Sequence, residues 1–211
     1  GLELLGVEHV DILSGSSLGG GIAWEMLVLA PQYVTHFFAV ATDWKTTDWV
    51  IANCLIQERL LEGNNPLHDA RMHAMLCYRT PASLKEKFDR SINIERNLFN
   101  TETWLLHHGE KLQNRFTLEA YKLMNQLVKT IDICKDRGDF AQVMAPITTQ
   151  IHIIATDTDL YFVPEENRLT YEALKQMGKK TTYHEIHSIH GHDAFLIEFD
   201  QLDAFIRPCL S

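Results

Sequence analysis

The chain is poor in the features that mark secreted, membrane or nucleic-acid-binding proteins. Its four cysteines, Cys54, Cys77, Cys134 and Cys209, are scattered and form no C-x-x-C pair. That spacing speaks against a disulfide framework and for reduced thiols. No apolar run approaches the ~20 residues of a membrane helix. No signal-peptide pattern opens the chain, which begins Gly1-Leu2-Glu3-Leu4-Leu5-Gly6, a run that reads like a helix end capped by Gly6. Positive charge is in deficit, with 19 Lys and Arg against 28 Asp and Glu and a net charge of −9. Such a chain repels phosphate backbones, so no nucleic-acid partner is expected. Repeats and low-complexity linkers are absent. A cytoplasmic protein without membrane contact is the expectation. What is present is 211 residues, 45% of them hydrophobic, enough for one domain with a real core.

Val7 to Ser14 is β-prone and ends at Gly15. Gly19 to Ala30 is apolar, helical in length and closed by Pro31, and Val34 to Ala41 is a second strand. Strand, tight turn, helix, strand is a parallel βαβ unit and calls for an α/β fold. Helical patterns follow at Asp48–Leu61, Pro66–Tyr78, Pro81–Arg90, Thr101–His108 and Leu118–Ile131, so residues 43–145 read as a helical cap inserted between strands. Strand signals return at Thr149–Ala155 and Thr181–His187, with helices at Glu165–Met177 and Leu196–Ile206. The α/β core therefore comprises residues 1–42 and 146–211.

Gly15-Ser16-Ser17-Leu18-Gly19 is a G-x-S-x-G match between a strand and a helix. In that context the serine stands on a strained turn with its hydroxyl exposed. The helix start aims N–H groups at developing negative charge, with the Leu18 N–H as one oxyanion donor. The bland alternative is a glycine-rich turn without catalysis. Asp159 lies just past a strand, where open α/β sheets gather their functional groups, and could orient a histidine. Asp157 competes for that role, and spacing does not separate the two. His192 follows the last strand in His190-Gly191-His192-Asp193, with His190 as its rival. The order Ser, Asp, His is that of the α/β-hydrolases. The tail also carries His184 and His187, which raises a metal site. Odd spacing on a strand would point those two to opposite faces, so no metal ligands are expected. His107 and His108 read as structural residues near a helix end.

These residues resemble the homoserine O-acetyltransferase family over nearly the whole chain. Gly15-Ser16-Ser17-Leu18-Gly19-Gly20 is similar to the family's G-G-S-M-G-G elbow. Asp69-Ala70-Arg71, Cys77-Tyr78-Arg79-Thr80, Phe88-Asp89-Arg90, the Trp104–Lys111 stretch and Arg115-Phe116 resemble its cap motifs. Asp159 with Phe162 and Pro164 resembles S-D-x-L-F-P, and Gly191-His192-Asp193-Ala194-Phe195-Leu196 matches G-H-D-A-F-L. The resemblance selects Asp159 over Asp157 and His192 over His190.

It implies an α/β-hydrolase fold and acyl transfer through a seryl ester. Ser17 would take an acetyl or succinyl group from acetyl-CoA or succinyl-CoA, and homoserine would accept it, a step of methionine biosynthesis. No bound cofactor is implied. Arg79 and Asp193 match positions for the substrate's carboxylate and amine, and a homodimer through the helical cap is implied. The family's F-D-x-N-S-Y segment reads Phe116-Thr117-Leu118-Glu119-Ala120-Tyr121 here, and the stretch before Asp69 is short; both changes touch the acceptor's tunnel. The family's strands before the nucleophile have no counterpart in this sequence. The expectation is a fragment, or a partner chain supplying that half. Two other readings share the same residues: an esterase with water as acceptor, and an inactive interaction module.

Overall fold

The computed structural model describes residues 1–209. Leu210 and Ser211, the last positions of the second core segment, lie outside the described residues. Four parallel strands, β1 (Val10–Ser16), β2 (Val34–Val40), β5 (Gln150–Thr156) and β6 (Thr181–Ile186), form one sheet in the order β1-β2-β5-β6. Parallel neighbours cannot be joined by tight hairpins, so each crossover carries helix. The register pairs Ser16 with Val40, Val40 with Ile154, and Thr156 with Ile186. The carboxyl ends of all four strands therefore meet along one edge.

Alternation along the strands sorts side chains between the two faces. Phe37, Ala39, Ile151 and Ile153 pack with Trp24 and Leu27 of α1 (Leu18–Leu29) and Leu174 of α8 (Pro164–Gln176). Trp24 meets Phe37 edge-on with ring centroids 5.1 Å apart. On the other face Phe38, Val40, Ile154 and Ile186 are covered by the 3-10 turn Gly191–Leu196 and by α9 (Phe199–Ile206). Buried on both faces, the central strands are apolar runs, as parallel strands require.

Between β2 and β5 run α2 (Asp48–Leu60), α3 (Pro66–Tyr78), α4 (Pro81–Phe88), the short hairpin β3 (Ile92–Asn93) and β4 (Leu98–Phe99), α5 (Asn100–Gln113), α6 (Leu118–Lys129) and α7 (Phe140–Met144). Thr47, Thr80 and Thr117 cap α2, α4 and α6 through their side chains, the expected use of threonine at a helix start. The stretch is not sealed off from the sheet: Ile133, Val143, Met144 and Ile147 belong to the cluster around Phe37. No helix among the described residues is long and apolar enough to cross a membrane.

Several boundaries differ from the sequence pattern. β1 starts at Val10 rather than Val7 and runs on to Ser16. α4 stops at Phe88, because Asp89 takes a left-handed conformation. α5 passes through Gly109 to Gln113, so His107 and His108 sit inside it rather than near its end. A Cβ at Gly109 would come within 2.5 Å of the His68 ring, so that glycine permits close packing of α3 on α5 and does not end a helix. The closing helix begins at Phe199, because residues 191–196 form a 3-10 turn.

Phe37→Ala removes a fully buried ring from the more extensive face. It should cost about 3–5 kcal/mol, read as a lowered midpoint of urea unfolding with unchanged slope.

Candidate active site

Ser17 follows β1 directly and precedes α1, with φ +51°. An L-residue adopts positive φ only under constraint, and the constraints are visible. The Ser17 N–H donates to the Val40 carbonyl at 3.0 Å, and the Thr42 hydroxyl donates to the Ser17 carbonyl at 2.7 Å. Glycine makes the turn sterically possible. A Cβ on Gly15 would lie 2.5 Å from the Gly19 carbonyl oxygen, and one on Gly20 would strike the Thr42 side chain at 2.2 Å. The Leu18 amide opens α1, where a helix N–H has no acceptor within the helix.

Ser17 Oγ lies 2.9 Å from His192 Nε2, and His192 Nδ1 lies 2.7 Å from Asp159 Oδ2. The structure thus unites three residues spread over 175 positions. Asp159 is 2% exposed. Its Oδ1 accepts from the Tyr161 and Phe162 amides at 2.7 and 3.0 Å, so the carboxylate is aimed before it meets the ring. The His192 ring is walled by Tyr78, Tyr161, Phe162 and Phe195, with centroids 5.3 to 5.8 Å away. Gly191, at φ +67°, lets the turn pass Tyr78, and its N–H donates to Thr158 Oγ1 at 3.1 Å.

The rivals are occupied elsewhere. Asp157 pairs with His187 Nδ1 at 3.0 Å and accepts from the Ser188 amide. His190 Nδ1 faces Ser83 Oγ at 2.9 Å and Arg79 at 3.1 Å. His184 stacks on Phe205, and His187 lies just beyond β6, so the tail histidines do not converge.

A cleft of about 150 Å3 opens beside Ser17. Leu18, Arg71, Cys77, Tyr78 and Tyr121 line it. Burial pushes the Cys77 thiol up, and its Sγ donates to Asn53 Oδ1 at 3.1 Å. It is therefore a poor competitor to Ser17, since the thiolate is the reactive form. Burial also pushes Tyr121 up to about 12 and Tyr78 further, so both phenols stay neutral donors. The guanidinium in the cleft is that of Arg71, 5.8 Å from the Tyr78 ring centroid.

Arg79 and Asp193 do not line this cleft. They face one another at 3.8 Å, and Arg79 donates to Ser83 Oγ at 3.0 and 2.7 Å. Burial pushes the Asp193 carboxyl up, opposed by His192, Arg79 and Arg71. Arg71 was visible in the sequence only inside its motif; position on α3, one face toward Ser17, singles it out in space. Thr42 and Asn167, which brace the serine turn from behind, had no sequence signal.

Behind that turn lies Asp43, 5% exposed. It accepts from Thr170 Oγ1, the Trp44 amide and Asn167 Nδ2 at 2.8, 2.8 and 3.1 Å. Asn167 also donates to the Thr42 carbonyl at 2.8 Å. Burial pushes the Asp43 carboxyl up to about 7, against those hydrogen bonds. An unfolded aspartate titrates near pH 4, so the folded state holds the extra proton between the two values. The stability this contributes is complete below about pH 4 and lost as pH rises through about 7. Relative to Asp43→Asn, which cannot titrate, the unaltered chain should lose stability across that window in urea titrations. A constant difference would contradict the assignment.

No family model matches the chain. Among curated proteins, homoserine O-acetyltransferase of Chloroherpeton thalassium is 32% identical over 97% of this chain and 57% of its own length. That of Thermus thermophilus is 34% identical over 97% of this chain and 55% of its own. Among solved structures, homoserine O-acetyltransferase from Bacillus anthracis superposes with a TM-score of 0.87 at 18% identity, covering 100% of this chain and 62% of that one. The L374D mutant of esterase E22 superposes with a TM-score of 0.88 at 17% identity, covering 100% and 63%. The chain spans between 55% and 57% of the length of the two curated relatives. The chain has the α/β-hydrolase fold, and its sequence is similar to homoserine O-acetyltransferases over 55% to 57% of their length.

Proposed function

We propose that this chain carries the acyl-transfer centre of a homoserine O-acyltransferase. The observation that carries the reading is the unbroken hydrogen-bond line from Ser17 through His192 to Asp159, set beside a cleft that holds the Arg71 guanidinium. In the first step Ser17 Oγ attacks the thioester carbonyl of an acyl-CoA, and its proton passes to His192 Nε2. Asp159 holds the imidazole in the needed tautomer and stabilises it once charged. The Leu18 amide faces the tetrahedral oxyanion. Collapse breaks the carbon–sulfur bond, and the proton on His192 leaves with the coenzyme A thiol. In the second step His192 takes the proton of the homoserine hydroxyl, whose oxygen attacks the seryl ester. The second collapse returns a proton to Ser17 Oγ and releases the O-acyl product.

A zwitterionic acceptor needs a cation and an anion near the serine. Arg71 supplies the cation, since a guanidinium suits a carboxylate bidentately. The anion for the ammonium is assigned to Asp193, which stands outside the cleft wall but next to His192 in the chain and within electrostatic reach of Arg71, and Arg79 positions it through their 3.8 Å contact. Acetyl-CoA is the preferred donor on the strength of the relatives' names. An esterase reading has support of its own, because the fold matches esterase E22 as closely as it matches the transferase.

Partitioning separates the two. With acetyl-CoA, released coenzyme A and O-acetylhomoserine should appear together, and homoserine should raise the release rate. Arg71→Ala should raise the KM for homoserine tenfold or more, on the order of one charge-assisted bond, with acylation by the donor little changed. The assay is run on this chain and on a form extended by the upstream strands that the resemblance implies. If water discharges the ester in both as fast as homoserine does, the transferase reading fails and the esterase reading takes its place.

A further inference from the structure

A second cluster of reactive side chains sits at the opposite end of the sheet from Ser17. His36 of β2, His152 of β5 and Cys209 after α9 bring three donor atoms within 4.8 Å of one another. His36 Nδ1 is 3.1 Å from His152 Nε2, and Cys209 Sγ is 3.8 Å from the same Nε2. Both histidines are third in their strands, toward the amino ends. Val40, whose carbonyl holds Ser17, lies about 13 Å further along β2 at the usual strand rise. The cluster is therefore separate from the proposed acyl-transfer centre and has no part in it.

We infer that His36, His152 and Cys209 form a binding site for a divalent transition metal of the zinc class. Three features argue for it. The donor set is two imidazoles and one thiolate, nitrogen and sulfur ligands suited to borderline-soft ions such as zinc. The spacing fits: tetrahedral bonds of roughly 2.0 Å to nitrogen and 2.3 Å to sulfur place donors roughly 3.3 to 3.6 Å apart. The observed 3.1 and 3.8 Å bracket that range. The outer contacts of His152 are those of a ligand. Its Nδ1 lies 2.9 Å from Thr182 Oγ1 on β6, and Phe38 stacks on the ring at 4.4 Å. Thr182 can hold the proton on Nδ1, which leaves the Nε2 lone pair facing the cluster.

Binding releases one proton, that of the Cys209 thiol, to solvent. Both imidazoles ligate in the neutral form, and the proton between them moves to the far nitrogen of His36. The fourth position is left to water or a small anion. The site's effect would be mechanical. No residue of α9 is buried, and a metal bond at Cys209 would pin the segment after this helix to β2 and β5. The sequence hides the site, because its members are 116 and 57 residues apart.

Cobalt(II) added to the untagged chain is the test, because it substitutes for zinc and is coloured. One equivalent should produce a thiolate-to-cobalt charge-transfer band in the near ultraviolet with the strong visible bands of a tetrahedral centre. Zinc chloride should bleach both, and either ion should raise the Tm. Cys209→Ser, which exchanges one atom at a partly buried position, should abolish the charge-transfer band and the Tm gain. His36→Gln should weaken cobalt binding tenfold or more. The absence of a thiolate band from the unaltered folded chain overturns the proposal without recourse to any variant. So does a band that persists in Cys209→Ser, which would place the metal on another cysteine.

Discussion

Ser17 is held at a backbone angle that an L-residue resists, and most of what surrounds it exists to keep it there. Parallel pairing of β1 with β2 brings the Val40 carbonyl under the Ser17 amide. Thr42, two residues past the end of β2, grips the Ser17 carbonyl, and Asn167 grips both the Thr42 carbonyl and the Asp43 carboxylate. Gly15 and Gly20 supply the space, since a side chain at either would collide with the turn or with Thr42. The strain is thus balanced by hydrogen bonds from β2 and the segment after it, which Asn167 of α8 braces in turn.

The same sheet determines where the partners arrive. β5 ends beside β2 and delivers Asp159, and β6 ends beside β5 and delivers His192. Asp159 is aimed by two amides of its own loop, so its orientation does not depend on the histidine it holds. The ring of His192 is enclosed by aromatic side chains from α3 and from the loop after β5. Exclusion of water there strengthens each polar contact in the line.

The parallel sheet and its helices were legible because the pattern is local: apolar runs bounded by glycine and proline. α3 was legible to the residue, with Pro66 at its start. The two-residue strands β3 and β4 and the five-residue α7 were not, being shorter than any period that sequence can display. The pattern over Thr101–His108 stopped short of the end of α5 at Gln113, which lies beyond a glycine whose missing side chain makes room for His68. In the site, Ser17, Asp159 and His192 were legible through motifs and order. Arg79 was legible as a charge but not in its direction, which is toward Ser83 and Asp193. Arg71, Thr42 and Asn167 acquire their places only through tertiary packing, and so do His36, His152 and Cys209.

The central claim is that Ser17 is a nucleophile activated by His192. A fluorophosphonate reacts irreversibly with such a serine and needs neither acyl donor nor acceptor. Intact-mass and peptide analysis of the folded chain should find one adduct, on Ser17. It should be absent from Ser17→Ala and formed at least a hundredfold more slowly in His192→Gln, the usual scale of a lost general base. An adduct on another residue, or a rate at Ser17 that is indifferent to His192, would contradict the account.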